Sequence, residues 1–402
     1  MPPDPHFPGR RFLHSPGPTH VPDEVMVAMS QQPMDLADPR VAPLIAECES
    51  GLARLMDAPA DAKVFLYAGN GHGAWEAVIA NVVRPGGHVL VAGTGHFSEG
   101  WALQTEACGG RVTRTPWIEG KPIDPNTLAN VLRADTQQSI DAVFVVHTDT
   151  ASSVTNDLAA ISEALRATGH RALLVVDVVA SLGAAPFSMR ALGAHVVLGA
   201  SQKGLMTHPG LAFVAADAKA RDWARTNPGP RFYWDWERRD SDLAYRKFCG
   251  TAPYSLIQGL RAALARIERE GLDQVLARHA QLAQATQASV AHWAQAGALG
   301  FFAQDAANRS VSVTSITTGP GVDPEVIRHV ARERFQVAVA GGLGPLAGRI
   351  FRIGHLGDLN AAMLLGCLAG VEAALRVCGV PHRSGGVEAA IEVLTRPAPS
   401  LA

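Results

Sequence analysis

The chain has 402 residues, of which 47% are hydrophobic and 18% are charged, and its formal net charge is −2. This composition is typical of a globular protein with a large core, and it argues against a disordered chain or a protein that binds nucleic acid through excess positive charge. The length predicts two domains, or one large domain with a smaller one. No apolar run follows the Pro-rich start, so we expect neither a signal peptide nor a membrane span.

Five cysteines are scattered along the chain, and none of them forms a C-x-x-C pair. They are Cys48, Cys108, Cys249, Cys367 and Cys378. An odd number without a pairing pattern favours a reducing compartment, so we expect a cytoplasmic protein without a metal site.

Short apolar runs alternate with helical patterns between residues 60 and 215. The runs are residues 64–67, 88–92, 141–147, 171–177, 195–200 and 210–216. Because they are rich in Val and lack polar alternation, they are typical of strands buried on both faces. A helical pattern at 74–83 and another at 156–169, which we expect to begin at an Asn156 cap, lie between them. This alternation predicts an α/β fold with a mostly parallel sheet.

The pattern changes after residue 250, where long stretches carry apolar residues at helical spacing. Residues 310–318 and 349–354 then read as strands on either side of a further helix, which predicts a small α+β domain. The predicted organisation is an N-terminal arm over 1–22, a large domain over 23–265 and a small domain over 266–402.

Two of the predicted strands lead directly to chemically useful side chains. The run LLVVD ends at Asp177, and the next strand, HVVLG, leads to Ser201, Gln202 and Lys203. Ligands of parallel sheets bind at the carboxyl ends of the strands, so these groups are expected to meet at one edge. A pyridine-based electron sink requires an amine that forms an imine and a carboxylate that keeps the ring nitrogen protonated. Lys203 and Asp177 are the candidates for these two roles.

The segments DVVASLGAAP, GASQKGL and HPGLAFV around these residues resemble class V aminotransferases, particularly the alanine–glyoxylate and serine–glyoxylate branch. The resemblance extends from about residue 16 to residue 360. It implies fold type I, pyridoxal 5′-phosphate as the cofactor, Lys203 as its Schiff-base residue and Asp177 as the partner of its pyridine nitrogen. It also implies a homodimer with shared active sites, and transamination between a small amino acid, such as alanine or serine, and a keto acid such as glyoxylate or pyruvate.

A Gly-rich turn lies in YAGNGHGAWEA, between a predicted strand and a predicted helix. The start of a helix offers free N–H groups and the positive end of its dipole to an anion. A dinucleotide-binding turn would need an acidic residue after the following strand, and the sequence HVLVAGTG has none. A single phosphate therefore fits better, and the resemblance assigns it to Asn70, Gly71 and His72.

The resemblance also implies roles for several residues around the cofactor ring and phosphate. It places Trp101 on the pyridine face, where an aromatic ring would fix the tilt of the cofactor. Thr150 corresponds to the hydroxyl beside the ring. Ser201 and Gln202 would complete the phosphate site, with Thr251 reaching across from the partner subunit.

Arg352, in the segment RIGHLG, matches the arginine that binds the substrate carboxylate in this family, and a guanidinium can bind a carboxylate through two parallel bonds. The chain departs from the family at Asp149, where Glu is common, and at Phe248, where Tyr is common, with Tyr254 as a replacement for the missing bond. It also has MDLADPR at 34–40 in place of a His-Arg-Ser-Pro type of segment. These departures leave the substrate open.

Several alternatives share this scaffold. A pyridoxamine–pyruvate or aminoethylphosphonate aminotransferase and a cofactor-dependent lyase stay open at this point. A cysteine desulfurase would need a nucleophilic cysteine on a mobile loop, and residues 320–350 contain none. A non-catalytic binding protein is disfavoured because Lys203 and Asp177 are both present.

Overall fold

A computed structural model describes residues 10–397, so residues 1–9 of the predicted arm and 398–402 of the predicted small domain lie outside the described residues. The strands are β1 (Phe12–His14), β2 (Lys63–Gly69), β3 (His88–Val91), β4 (Arg111–Arg114), β5 (Ile140–Val146), β6 (Thr148–Asp149), β7 (Val154–Thr155), β8 (Leu173–Asp177), β9 (Val196–Ala200), β10 (Gly210–Ala216), β11 (Leu299–Phe301), β12 (Val313–Thr318), β13 (Val337–Gly341) and β14 (Ile350–Gly354).

The helices are α1 (Asp23–Met29), α2 (Val41–Leu55), α3 (Gly71–Val82), α4 (His96–Ala107), α5 (Pro125–Ala134), α6 (Leu158–Arg166), α7 (Met189–Leu192), α8 (Ala218–Arg225), α9 (Trp236–Arg239), α10 (Ala244–Lys247), α11 (Tyr254–Glu270), α12 (Leu272–Trp293), α13 (Pro324–Phe335), α14 (Ala361–Val377) and α15 (Gly386–Leu394). Short 3-10 turns occupy Ala294–Ala296, Ala306–Asn308 and Gly344–Leu346.

Seven strands form the larger sheet in the order β2-β10-β9-β8-β5-β3-β4. Strand β10 runs antiparallel to both of its neighbours, and the pairs from β9 to β4 are parallel. The prediction of an α/β fold with a mostly parallel sheet is therefore confirmed. The carboxyl ends of β2, β3, β5, β8 and β9 all lie along one edge of this sheet.

Helices cover both faces of the larger sheet, which explains why its strands read as continuous apolar runs. The side chains of β5 show the arrangement, since every residue of this strand is buried. Val143 and Val145 belong to the core on one face, and Phe144 and Val146 belong to the core on the other. The alternation follows from the two-residue repeat of a strand.

The smaller sheet has the order β1-β13-β14-β12-β11, and β1 is parallel to β13. Its core contains the buried residues Ile316, Phe351 and Ile353 together with apolar residues from α12, α13 and α14. Strand β1 comes from the predicted N-terminal arm, so residues 12–14 are built into the sheet of the C-terminal part of the chain. No local pattern in residues 12–14 predicts this pairing.

Two helix starts differ from the predictions. Helix α6 is capped by Asp157, whose side chain accepts the amide hydrogen of Ala160, and the predicted Asn156 cap is wrong. The Asn156 side chain instead accepts the Ile123 amide hydrogen at 2.8 Å and donates to the Val146 carbonyl at 2.8 Å. Helix α3 begins at Gly71 rather than at residue 74.

Helix α11 continues through the predicted domain boundary at 265/266 without a break, and α12, which follows it, contacts β11 and β12 of the smaller sheet. Within residues 10–397, none of the helices combines the length and the apolar character that crossing a bilayer requires. The same residues contain no group of three or more His, Cys, Asp or Glu side chains arranged to hold a metal ion.

Candidate active site

Lys203 and Asp177 lie at the carboxyl edge of adjacent parallel strands. Asp177 is the last residue of β8, and it is in register with Leu198 of β9. Lys203 follows the end of β9 by three residues, in the loop that leads to β10. Both side chains are buried, with exposed fractions of 4% and 8%. The two groups therefore meet where the sequence analysis expected a ligand.

The Asp177 carboxylate is held by two donors. Its Oδ1 accepts the amide hydrogen of Val179 at 2.7 Å, and its Oδ2 accepts the indole N–H of Trp75 at 2.7 Å. Burial raises the pKa of Asp177 to about 6, while these two bonds and the positive charge of Lys203 act in the opposite direction. The carboxylate is therefore mostly ionised at neutral pH, which is the form that supports a cationic ring nitrogen.

Burial, together with the nearby charge of Arg352, lowers the pKa of Lys203 to about 7, and the carboxylates of Asp177 and Asp149 oppose this effect. A large part of the lysine population is therefore uncharged at neutral pH. Only the uncharged amine is a nucleophile, so burial prepares Lys203 for imine formation.

The predicted phosphate-binding turn lies at the start of α3, beside the turn that follows Asp177. A Cβ atom built on Gly71 would lie 3.3 Å from Cγ2 of Val179, which is tighter than most Cβ contacts, so the two segments approach each other closely at this glycine. Asn70 caps the helix by accepting the Gly73 amide hydrogen at 3.2 Å. The first amides of a helix have no partner within it, so those of Gly71 and His72 are available to an anion.

The residues beside Lys203 differ in what they can offer a phosphate. The Ser201 hydroxyl donates its hydrogen to the His208 carbonyl at 2.7 Å, so it has no hydrogen left for a phosphate in this arrangement. Oε1 of Gln202 is buried and has no hydrogen-bond partner among the described residues. Thr251 is exposed on the surface of its own chain.

Arg352 lies on β14 of the smaller sheet and reaches toward the same edge. Its Nη1 donates to the Thr150 carbonyl at 2.7 Å, and its Nε donates to the Gly341 carbonyl at 2.7 Å. Burial lowers the pKa of Arg352 to about 10, a value that already includes the opposing effect of the Asp149 carboxylate. The guanidinium stays charged at neutral pH and its orientation is fixed by two backbone groups.

The Asp149 carboxylate accepts hydrogen bonds from three backbone amides. Its Oδ1 accepts the amide hydrogens of Ala151 and Ser152, each at 2.9 Å, and its Oδ2 accepts that of Phe97 at 2.8 Å. The side chain is fully buried. This carboxylate therefore ties the start of α4 to the turn that carries Thr150.

The prediction that Trp101 stacks on a cofactor ring is wrong for this structure. Trp101 has an exposed fraction of 0%, and its ring lies between two others. It stacks on Phe144 at 4.3 Å between ring centroids and on Trp75 at 5.7 Å. Both faces are occupied by core side chains, so no face is open to a ligand.

Two aromatic residues that the sequence analysis missed lie closer to the site. Trp75 bonds the Asp177 carboxylate, and its ring also contacts His72 at 4.4 Å between centroids. Phe97 lies one helical turn before Trp101, is partly buried, and packs edge-on against Trp75. Because the start of α4 is nearer the carboxyl edge of the sheet, position 97 is the better candidate for an aromatic that contacts a ligand. The sequence did contain a signal for Phe97, since it lies in the first turn of the helix that follows β3.

The departures from the family lie in three different settings. Phe248 is buried in the core of the larger sheet with an exposed fraction of 2%. The Tyr254 hydroxyl accepts a hydrogen bond from Nε2 of Gln258, one turn further along α11. In the segment 34–40, Arg40 pairs with the neighbouring Asp38 at 2.6 Å.

The chain is similar to known proteins over most of its length. The family model for class-V aminotransferases matches residues 11–347. A serine–glyoxylate aminotransferase of Methylorubrum extorquens is 37% identical over 96% of this chain and 96% of its own length, and an L-aspartate–glyoxylate aminotransferase of Paracoccus denitrificans is 37% identical over 94% of each.

Solved structures give the same result for the fold. A ureidoglycine–glyoxylate aminotransferase from Bacillus subtilis superposes with a TM-score of 0.87 at 25% identity, covering 98% of this chain and 100% of that one. This likeness confirms the prediction of fold type I. The chain belongs to the class-V aminotransferase family and is a pyridoxal-phosphate-dependent aminotransferase.

Proposed function

We propose that this enzyme transfers the amino group of a small amino acid to glyoxylate or a similar keto acid, with Lys203 holding the cofactor. The observation that supports this most is the grouping of three buried charged side chains at one edge of the sheet. The Lys203 amine and the Asp177 carboxylate shift each other's pKa, and the charge of Arg352 lowers the pKa of Lys203. Two relatives at 37% identity are both named for glyoxylate but for different amino acids, and this supports the keto acid more strongly than the amino donor.

The residues present fit pyridoxal 5′-phosphate. The Lys203 amine is buried with a lowered pKa, and the Asp177 carboxylate faces the same edge with a raised one. The start of α3 lies beside Asp177 at the contact of Gly71 with Val179, where its amides can take the phosphate. The buried Oε1 of Gln202 is a polar atom that still requires a partner.

Bound pyridoxal phosphate supplies an aldehyde that condenses with amino groups and a ring that takes up negative charge from the substrate α-carbon. Lys203 has two tasks in this reaction. It would anchor the cofactor through its side-chain amine, and the free form of that amine would accept and return the proton of the substrate α-carbon. An amine with a pKa of about 7 serves as both acceptor and donor of that proton near neutral pH.

Asp177 contributes an electrostatic effect. Its charge favours a protonated ring nitrogen, and it needs no proton transfer of its own during turnover. The Trp75 and Val179 donors keep the carboxylate oriented as well as ionised. The pairing of a buried anion with a cation in a low-dielectric site strengthens this interaction.

Arg352 is proposed to bind the substrate carboxylate. Its bonds to the carbonyls of Thr150 and Gly341 use the Nε hydrogen and one hydrogen of Nη1. The second Nη1 hydrogen and those of Nη2 then form the end of the guanidinium fork, which matches a carboxylate in a two-bond geometry. Fixing the carboxylate fixes which hydrogen on the α-carbon faces Lys203.

We also propose a homodimer in the cytoplasm. The family resemblance, and the exposure of Thr251 on its own chain, support a role for this residue in the phosphate site of the partner subunit. The cysteines are free within the described residues, which is consistent with a reducing compartment.

The proposal is tested by absorbance and by turnover. The purified enzyme with added cofactor should show a Schiff-base band near the visible edge, which Lys203→Ala abolishes. The matched control is Lys219→Ala, which removes an exposed lysine and should keep the band. Serine, alanine and aspartate are then offered with glyoxylate as the acceptor.

The outcomes separate the alternatives. Turnover with one of these amino acids and glyoxylate supports the proposal. If the enzyme transfers the amino group of pyridoxamine to pyruvate and is inactive with all three amino acids, it is a pyridoxamine–pyruvate aminotransferase instead. A protein that shows no band, or a Lys203→Ala variant that keeps it, overturns the role of Lys203.

A further inference from the structure

A segment near the N-terminus crosses directly over Lys203. We name residues Ser15–Thr19 the strap. The Pro16 carbonyl accepts a hydrogen bond from Nζ of Lys203. The Thr19 hydroxyl donates to the Lys203 carbonyl at 3.0 Å, and the Thr19 amide donates to the Gln202 carbonyl at 3.2 Å. The strap therefore contacts both the backbone and the reactive end of this lysine.

Gly17 is the residue that makes the contact possible. A Cβ atom built on Gly17 would lie 2.5 Å from Cε and 2.8 Å from Nζ of Lys203, well inside van der Waals distance. The backbone of Gly17 also has a φ of +123°, a conformation that residues with a side chain rarely adopt. Any other residue at this position would push the lysine side chain away.

The opposite side of the strap packs closely against two glycines at and after the end of β14. A Cβ on Gly354, at the end of β14, would lie 2.6 Å from the nitrogen of Pro16, and a Cβ on Gly357 would lie 3.1 Å from Cβ of Thr19. These two glycines belong to the same RIGHLG segment as Arg352. The strap is thus enclosed between the lysine turn and the strand that carries the proposed carboxylate-binding residue.

We propose that the strap positions the Lys203 amine, and that Gly17 is a positioning residue for the reaction. The inference rests on the proposed role of Lys203 as the reactive amine. A lysine side chain has four rotatable bonds, and the packed strap leaves it few of the resulting conformations. The Pro16 carbonyl accepts an N–H of the free amine, so the strap holds the amine when it is not attached to the cofactor.

The first experiment measures the accessibility of the amine itself. Enzyme stripped of cofactor with hydroxylamine is treated at pH 7.5 with trinitrobenzenesulfonate, and peptide mass spectrometry gives the labelling rate of each lysine. We expect Gly17→Ala to raise the labelling rate of Lys203 at least threefold relative to exposed Lys219. The matched control is Gly109→Ala, since Gly109 also has a positive φ, of +85°, but nothing lies within 4 Å of a Cβ built there.

Thr19→Val provides a variant without a steric clash, in case Gly17→Ala does not fold. It removes the bond to the Lys203 carbonyl and should raise the labelling rate in the same direction by a smaller factor. In the holoenzyme, Gly17→Ala should also shift the pH at which the Schiff-base band titrates, and Gly109→Ala should not.

Labelling of Lys203 at the wild-type rate in both Gly17→Ala and Thr19→Val would overturn the positioning role. An equal increase in Gly109→Ala would overturn it as well, because the effect would then be a general loosening of the fold. If the wild-type protein forms no band with the cofactor, the proposed function fails, while the labelling comparison still decides whether the strap controls this lysine.

Discussion

The indole N–H of Trp75 and the carboxylate of Asp177 are joined by a 2.7 Å hydrogen bond in the interior of the protein. Trp75 has an exposed fraction of 2%, so the bond is shielded from solvent. The bond stabilises the ionised carboxylate and opposes the effect of burial, which raises the pKa of Asp177 to about 6. A tryptophan on a neighbouring helix thus helps to set the charge of the group proposed to face the cofactor.

The first prediction concerns Trp75→Phe, which removes the N–H and keeps an aromatic ring. A hydrogen bond to a charged group contributes roughly 1.5–3 kcal/mol, which corresponds to about one to two pH units. We therefore expect the acidic limb of kcat/KM to move to higher pH by about that amount. The control is Trp223→Phe, which loses a 2.9 Å bond to the Val82 carbonyl. An acidic limb at the wild-type pH would contradict the role of Trp75.

The second prediction separates Trp101 from Phe97. Trp101→Leu leaves a cavity in the core and should lower the free energy of unfolding by about 2–4 kcal/mol, with the cofactor band unchanged. Phe97→Leu should change stability much less, because Phe97 is only partly buried, and should weaken cofactor binding. Denaturant unfolding and absorbance titration measure the two effects. The reverse result would restore Trp101 as the ring-facing residue.

The third prediction concerns Asp149→Asn. The asparagine amide can keep one oxygen toward Ala151 and Ser152, but its NH2 group then faces the amide of Phe97, so two donors oppose each other. One buried, unpaired donor costs about 1–3 kcal/mol of unfolding free energy. Because the turn also holds Arg352 through the Thr150 carbonyl, KM for the amino acid should rise more than kcat falls. An unchanged KM would show that Arg352 is positioned independently of Asp149.

The fourth prediction concerns stability at acidic pH. His279 is buried, and its Nδ1 donates to the Val275 carbonyl while its Nε2 accepts the Gly357 amide hydrogen at 2.9 Å. Protonation of Nε2 would therefore set two donors against each other. Burial lowers the pKa of His279 to about 4. The other histidines that are buried and have a lowered pKa are His14 at about 4, His147 at about 4 and His355 at about 3.

The unfolded chain takes up protons on these histidines near pH 6.5, and the folded chain does not until about pH 4. The contribution of these histidines to the free energy of unfolding should therefore be fully present above pH 6.5. It should decrease as the pH drops from 6.5 toward 4, by up to about 1.4 kcal/mol per pH unit for each histidine. Denaturant unfolding at several pH values measures the slope. His279→Gln should reduce the slope, and the exposed His329→Gln should leave it unchanged.

The sequence predicted the larger sheet well because its strands are buried on both faces and so read as apolar runs. The run at 210–216 coincides with β10, and the run at 141–147 is displaced from β5 by one residue. A continuous apolar run does not show whether a strand is parallel or antiparallel to its neighbours, so the antiparallel orientation of β10 was not predictable. The pairing of β1 depends on contacts with residues more than 300 positions away, which no local pattern contains. The division into an arm and two domains stays a prediction.

The site was predictable where chemistry and strand ends coincide, as at Asp177 and Lys203. It was not predictable where the packing of helices decides which aromatic ring is enclosed. Phe97 and Trp101 lie on the same face of α4, and only the neighbouring rings of Phe144 and Trp75 show that Trp101 is covered. The proposed part of Thr251 depends on a second copy, which a single chain does not display.

The reversed direction of β10 has a consequence for the motion of Lys203. A crossover through a helix would place the lysine on a long connection, but here the connection between β9 and β10 is a hairpin that is closed at its base. Ala200 pairs with Ala212, and the Ser201 amide donates to the Leu211 carbonyl at 3.0 Å. The Lys203 carbonyl also accepts hydrogen bonds from the Thr19 hydroxyl and the Met206 amide, so the main chain at the lysine is held on both sides. Whatever reach the amine needs during a catalytic cycle comes from rotation of its own side chain.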